Sequence, residues 1–166
     1  MLAAICLTLA AFNQMPEWET NIGYLPFSGP LLAETSPTGM DIFISMGDHG
    51  LGAWSGTGGM LEGFPVSSRT GVTRRPAAVT IPGSGTYIVY ADNAGYVHMI
   101  DRRGVEQPGW PFFAGPGIVT GITVMDLDGD DYSEISFGTA EVRTSFPSAV
   151  MRTSSSMRTP MFTYFW

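Results

Sequence analysis

The sequence predicts an all-β fold made of about three similar units, and three observations support that prediction. Glycine (21) and proline (12) are abundant among the 166 residues, while Phe, Tyr, Val, Ile and Thr dominate the stretches between them. A strand-like segment recurs at a nearly constant spacing. One loop carries five acidic residues within nine positions. Many short strands joined by tight turns fit this composition better than helices do.

The recurring segment is seven residues long and rich in β-branched and aromatic residues. Its three copies are Met40–Met46 (MDIFISM), Thr86–Asp92 (TYIVYAD) and Ser133–Thr139 (SEISFGT). Pairing Asp41 with Tyr87, and Tyr87 with Glu134, gives spacings of 46 and 47 residues. A period near 46 with several short strands in each unit is typical of a β-propeller blade, which buries its faces only against neighbouring blades.

Glycine-aromatic-proline loops accompany the recurring strands. Gly23–Pro30 (GYLPFSGP) parallels Gly109–Pro116 (GWPFFAGP), and a shorter version stands at Gly63–Pro65. After the first two strands, Gly50–Ser55 resembles Gly95–Asp101. The sequence therefore predicts an incomplete β-propeller, with a domain at 17–141 that contains three blade-like units. Their expected boundaries are about 23–64, 65–110 and 111–141.

The two ends of the chain depart from the repeats. Residues 1–16 include the apolar run Met1–Phe12, which has the length of a signal-peptide core but lacks the basic residues that usually precede one. An export signal, a buried first strand or helix, and a trimmed membrane anchor are the three interpretations, and the run is too short for a stable membrane span. Residues 142–166, rich in Ser, Thr, Met and Arg, read as a low-complexity tail or an incomplete blade.

The charge of the chain argues against a nucleic-acid partner. Eight basic residues, all arginine, face fifteen acids, for a net charge of −7. A phosphate backbone would be repelled by this balance. Cys6 is the single cysteine, so the chain forms no internal disulfide.

The acidic loop Asp126–Glu134 (DLDGDDYSE) follows one strand-like segment and leads into the next. Carboxylates at its positions 1, 3, 5 and 9, together with a backbone carbonyl at position 7, are the hard oxygen ligands that Ca²⁺ prefers. Gly129 lets the chain turn sharply enough for these oxygens to converge. The candidate calcium ligands are Asp126, Asp128, Asp130, Tyr132 through its carbonyl, and Glu134.

The other two interpretations of the loop are an EF-hand and an acidic, solvated hairpin without an ion. An EF-hand needs an acid at position 12 and flanking helices, whereas position 12 is Phe137 and both flanks predict strands. An acidic, solvated hairpin without an ion is the alternative that stays open. In the earlier units the same register gives Ala33–Asp41 and Val79–Tyr87, which keep the loop length but lack most of the carboxylates and should not hold calcium.

Gly121–Gly138 resembles an FG-GAP (VCBS-type) repeat, the calcium-loop blade unit of integrin-α-like propellers. That family has the pattern Asp-x-Asp-x-Asp-Gly-x-x-Asp between two strands of a blade. The chain departs from it at Glu134, where the family usually has Asp, and at Asp131, where it usually has Gly. The resemblance extends weakly over residues 23–141. It implies a non-catalytic, calcium-binding module, secreted or at the cell surface, that serves adhesion or interaction with a protein or glycan.

No catalytic motif is apparent in the sequence. His49 and His98 are the only histidines, and each is predicted to occupy a polar turn or strand position. Nucleophile elbows, phosphate loops and paired-cysteine sites are missing. The alternative to a binding module is a fragment of a larger secreted enzyme, either a hydrolase or a quinoprotein-like dehydrogenase. Three blades would leave open edges, which favour self-association.

Overall fold

The computed structural model describes residues 19–37, 39–115 and 119–139, and the strand backbones at 148–152 and 161–165. The apolar leader at 1–16 and the serine-rich run at 153–156 lie outside these ranges. Within them the chain forms strands, turns and loops but no helix. The described part accordingly contains no helix long and apolar enough to cross a membrane.

The described residues form eleven strands, which confirm the all-β prediction. Each of the three recurring segments predicted from the sequence contains a strand, namely Gly39–Ser45, Gly85–Ala91 and Glu134–Thr139. In chain order the strands are β1 Leu31–Ser36, β2 Gly39–Ser45, β3 Leu51–Ser55, β4 Ala77–Ile81, β5 Gly85–Ala91, β6 Tyr96–Ile100, β7 Phe112–Phe113, β8 Val119–Met125, β9 Glu134–Thr139, β10 Ser148–Arg152 and β11 Met161–Phe165.

The strands form three separate antiparallel sheets, each of which follows the chain order without a crossover. Sheet 1 contains β1 to β3, sheet 2 contains β4 to β7, and sheet 3 contains β8 to β11. No closed barrel occurs among these strands. Because β10 pairs with β9 and β11 pairs with β10, the third sheet extends into the tail beyond residue 141.

Sheets 1 and 2 are equivalent at a shift of 46 residues. Leu32 pairs with Ile42 in sheet 1, and Ala78 pairs with Ile88 in sheet 2. The equivalence reaches the outer edge of each sheet, where Leu51 bridges to Val66 and Val97 pairs with Phe112. The aromatic-proline loop at 109–116 thus contributes a short strand, β7, which the sequence did not predict.

The third strands of sheets 1 and 2, β3 and β6, are equivalent at a register one residue away from the one that the sequence comparison predicted. The sequence comparison paired Gly50 with Gly95, which would make Leu51 equivalent to Tyr96. In the structure Ser45 pairs with Leu51 and Ala91 pairs with Val97, so Leu51 is equivalent to Val97. The difference arises because Gly95 lies four residues after the last paired residue of β5, whereas Gly50 lies five residues after the last paired residue of β2.

Sheet 2 is buried on both faces because its side chains alternate between two apolar clusters. Its front face packs against sheet 1 and consists of Ala78, Ile88, Tyr90 and Ile100. Its rear face packs against sheet 3 and consists of Val79, Ile81, Val89, Ala91, Val97 and Met99. Removing each large aliphatic side chain from water contributes about 1.5–3 kcal/mol, so these two interfaces hold the three sheets together.

The partners of these faces come from the neighbouring sheets. Sheet 1 offers a rear face of Ala33, Phe43, Leu51 and Ala53 to the first cluster. Sheet 3 offers a front face of Ile122, Val124, Ile135 and Phe137 to the second cluster. The first strands of the sheets are also neighbours, since β1 contacts β4 and β4 contacts β8.

The first hairpin of each sheet has a similar span but a different structure. In sheet 2 the pairing continues to Ile81 and Gly85, which leaves only residues 82–84 at the tip. In sheet 3 the pairing stops at Met125 and Glu134, so eight residues remain as a loop. The expectation of equal loops is therefore wrong for sheet 2. Without the aspartates, its chain extends the two strands instead.

A charged pair joins sheets 1 and 2 at the buried carboxylate of Asp41. The guanidinium of Arg102 lies 2.7 Å from it through Nε and 3.2 Å through Nη2, and the Thr35 hydroxyl donates a further hydrogen bond. The hydrogen bond to Asp41 raises the pKa of Arg102. Asp41 lies on β2 of sheet 1, and Arg102 lies in the turn that follows β6 of sheet 2, so the pair connects the two sheets.

We predict that Arg102→Ala lowers the free energy of unfolding by about 2 kcal/mol, because the Asp41 carboxylate then stays buried without its cation. Water reaches part of the pair, since the Arg102 side chain is 40% exposed, and this moderates the loss. Urea unfolding followed by circular dichroism measures the effect.

Arg103→Ala is the matched control, because it removes the adjacent, exposed arginine and should change stability by less than about 0.5 kcal/mol. Equal losses in the two variants would contradict the proposed role of the Asp41–Arg102 pair.

Candidate metal centre

The acidic loop joins β8 to β9 at the edge of the described part of sheet 3. Aspartate and glycine are poor strand formers, and pairing accordingly ends where the first aspartate begins. Gly129 and Asp131 adopt positive φ angles of 78° and 66°. Aspartate tolerates this left-handed conformation better than most residues, so the position where the calcium-loop family has glycine is still accommodated.

Three of the five predicted ligands lie together in this loop. Each carboxylate of Asp126, Asp128 and Asp130 offers an oxygen, and these oxygens all lie within 4.8 Å of one another. The three residues are exposed to solvent. Like charges this close disfavour one another, and a divalent cation would relieve the repulsion while accepting the oxygens as ligands.

Asp126 also organises the backbone of the loop. Its two carboxylate oxygens accept hydrogen bonds from the amides of Gly129 at 2.7 Å and Asp131 at 3.0 Å. The hydrogen bond from Gly129 is the largest cause of a lowered pKa at Asp126, and the amides of Asp131, Asp130 and Asp128 lower it further. The carboxylate therefore stays ionised at neutral pH and fixes the curvature of the loop.

The remaining two predicted ligands lie near the triad in the chain. Tyr132 donates its amide to Asp130 Oδ1 at 3.0 Å. Glu134 begins β9, is only 2% exposed, and accepts the amide of Leu127 at 2.8 Å through Oε2. Its carboxylate therefore contacts the start of the loop backbone, and it is not among the three residues whose oxygens converge.

A second polar cluster, which the sequence did not predict, lies around His98 on β6. His98 Nδ1 lies 3.0 Å from Glu106 Oε2, and its Nε2 lies 3.7 Å from Asp92 Oδ2. The imidazole stacks on the ring of Tyr90 at 4.6 Å. Burial raises the pKa of Tyr90, and the charges of Glu106 and Asp92 raise it further.

This cluster has the character of a structural network. Asp92 accepts the amides of Ala94 and Tyr96, which shapes the turn before β6. Glu106 accepts the amide of Met99, which ties the following loop to the same strand. The predicted strand position of His98 is confirmed, and His49 lies in the predicted turn, stacked against Tyr24 at 3.6 Å.

Comparison of the chain with protein-family models and with curated proteins gave no match.

We predict that the Asp126 carboxyl titrates below the pKa of an unfolded aspartate, which is about 3.9. The pKa of Asp126 is lower in the folded protein than in the unfolded chain. The loop hydrogen bonds therefore contribute fully to stability at pH values above about 3.9, and this contribution is lost as the pH falls through the folded pKa. Carboxyl ¹³C shifts measured by NMR in metal-free buffer report the titration, and the missing signal of Asp126→Asn assigns it. A midpoint at or above the unfolded value would refute the proposed hydrogen bonding.

Proposed function

We propose that this protein is a non-catalytic, calcium-binding module with blades of β-propeller type, and that it serves adhesion or interaction outside the cell. The observation that carries the calcium part is the convergence of the Asp126, Asp128 and Asp130 oxygens within 4.8 Å. Oxygen-only ligands in an exposed loop suit Ca²⁺ better than Mg²⁺, which requires stricter octahedral geometry.

Three features support the propeller part of the proposal. The sheets are antiparallel and follow chain order. Equivalent positions in the first two sheets are separated by 46 residues, a normal length for one blade. The sheets also pack front on rear, with their first strands side by side, as blades do around an axis.

The proposed calcium ion would stabilise the hairpin that it binds. It would neutralise the clustered aspartates at the tip, and it would fix the ends of β8 and β9 relative to each other. A ligand that binds only the folded state raises stability by about 2.7 kcal/mol at a concentration one hundred times its dissociation constant. Extracellular calcium modules bind with dissociation constants on the order of 10⁻⁴–10⁻³ M, which we expect for this exposed site.

A protein or glycan partner at the cell surface is proposed from exposed apolar side chains in the loop before β1 and on strands β6 and β7. Leu25 is 82% exposed and Phe27 is 59% exposed in the loop that precedes β1. Tyr96 and Phe113 form a second exposed pair, with ring centroids 4.9 Å apart. Aromatic side chains at a surface favour contacts with other proteins and with sugar rings.

We predict that Asp128→Asn weakens calcium binding at least tenfold, because it removes one of the three convergent carboxylates. The matched control is Asp131→Asn, which makes the same charge change in the same loop but outside the triad. Asparagine also tolerates the positive φ at this position. The control should weaken binding by no more than about threefold, through the loss of long-range attraction alone.

Isothermal titration of Ca²⁺ into chelator-treated protein measures both variants, and thermal melting follows in parallel. One ion bound per chain with a raised melting temperature is the expected result. Identical melting curves in saturating calcium and in chelator, for a folded chain, would reduce the loop to a solvated acidic hairpin.

A further inference from the structure

The front face of sheet 1 is built like an interface but has no sheet opposite it among the described residues. Shifting by 46 residues relates its side chains to the front face of sheet 2. The four equivalent pairs are Leu32 with Ala78, Ile42 with Ile88, Ile44 with Tyr90, and Trp54 with Ile100. In sheet 2 all four positions are occupied by residues packed against sheet 1.

This front face is largely apolar and partly open. Leu32 is 55% exposed, and Met40 and Met60 are also exposed, whereas Trp54 is buried. The exposed Glu34 lies on the same side of β1 as Leu32. Ile42, Ile44 and Trp54 line a groove of about 390 Å³, to which residues 19, 20 and 22 contribute the remaining walls. None of the side chains that sheet 1 places in this groove is charged, so the face suits burial against another sheet.

The rear face of sheet 3 is the second open face. The alternation that directs Ile122, Val124 and Ile135 toward sheet 2 directs Thr123, Met125 and Ser136 to the opposite side. Thr123 and Met125 are exposed, and Ser136 is partly exposed. Both contacts between sheets in the described part of the chain place a front face on a rear face. The rear face of sheet 3 is therefore the complement that the front face of sheet 1 requires.

We infer that two copies of this chain assemble so that the front face of sheet 1 in each copy packs on the rear face of sheet 3 in the other. A two-fold axis repeats this contact twice and closes a ring of six sheets. Six lies within the usual range of four to eight blades, and the three sheets of the described residues lie below it. The inference rests on the propeller part of the proposed function, and the interface continues the packing already present between sheets 1, 2 and 3.

The first test is the oligomeric state of the full chain, measured by sedimentation equilibrium at concentrations from about 1 to 100 μM, a range that covers typical interface affinities. The expected mass is twice that of the 17.8 kDa chain. Leu32→Glu places a charge in the centre of the contact and should weaken dimerisation at least tenfold. Val105→Glu is the matched control, since it places the same charge at an equally exposed loop position outside both faces and should leave the dimer intact.

The second test fixes the orientation of the two copies. In a Cys6→Ser background, the double variant Leu32→Cys with Thr123→Cys should form a disulfide-linked dimer under mild oxidation, and each single variant should not. Efficient crosslinking by Leu32→Cys alone would indicate front-to-front packing and overturn the inference. A wild-type chain that stays monomeric throughout the concentration range would overturn it as well.

Calcium titration of the same samples separates this inference from the proposed function. A monomer that binds calcium overturns only the ring. A six-sheet dimer that binds no calcium supports the ring and overturns the calcium site.

Discussion

The burial of sheet 2 on both faces is the interaction on which the rest of the structure depends. Successive residues of β5 alternate between the two clusters: Ile88 and Tyr90 face sheet 1, and Val89 and Ala91 face sheet 3. A sheet of this kind cannot be stable alone, because either face would be left in water. The same requirement applies to sheets 1 and 3, each of which has only one neighbour in the described chain. The open faces therefore follow from the packing mode itself.

Acidic side chains are arranged differently between the sheets and in the acidic loop. The buried acid Asp41 is paired with Arg102, and the partly exposed Glu106 contacts both His98 and a backbone amide. Such partners offset part of the cost of removing a charge from water. At the loop, by contrast, three exposed aspartates bring their carboxylate oxygens within 4.8 Å of one another. Converging carboxylate oxygens of this kind suit a divalent cation.

The sequence predicted the features that are encoded locally. Strands β2, β5 and β9 were found because β-branched and aromatic residues recur at one spacing, and the acidic loop was found because Asp and Gly interrupt that pattern. Contacts between distant residues left no such signal. The Asp41–Arg102 pair joins positions 61 apart, and the His98 cluster depends on how β5, β6 and the next loop fold together. Strand β7 was hidden because Phe112 and Phe113 stand among glycines and prolines, which usually indicate a loop.

The position of the acidic loop links the proposed calcium site to the open rear face of sheet 3. Asp126 directly follows Met125, which lies at the end of that face, and Glu134 starts the partner strand. Ordering of the loop by an ion would therefore fix the end of the surface formed by Met125 and Thr123. Any partner that buries this surface would in turn favour the loop conformation that binds the ion, because coupling between two sites is reciprocal. Calcium binding and packing of sheet 3 would then stabilise each other through a single hairpin, with no need for a conformational change elsewhere in the chain.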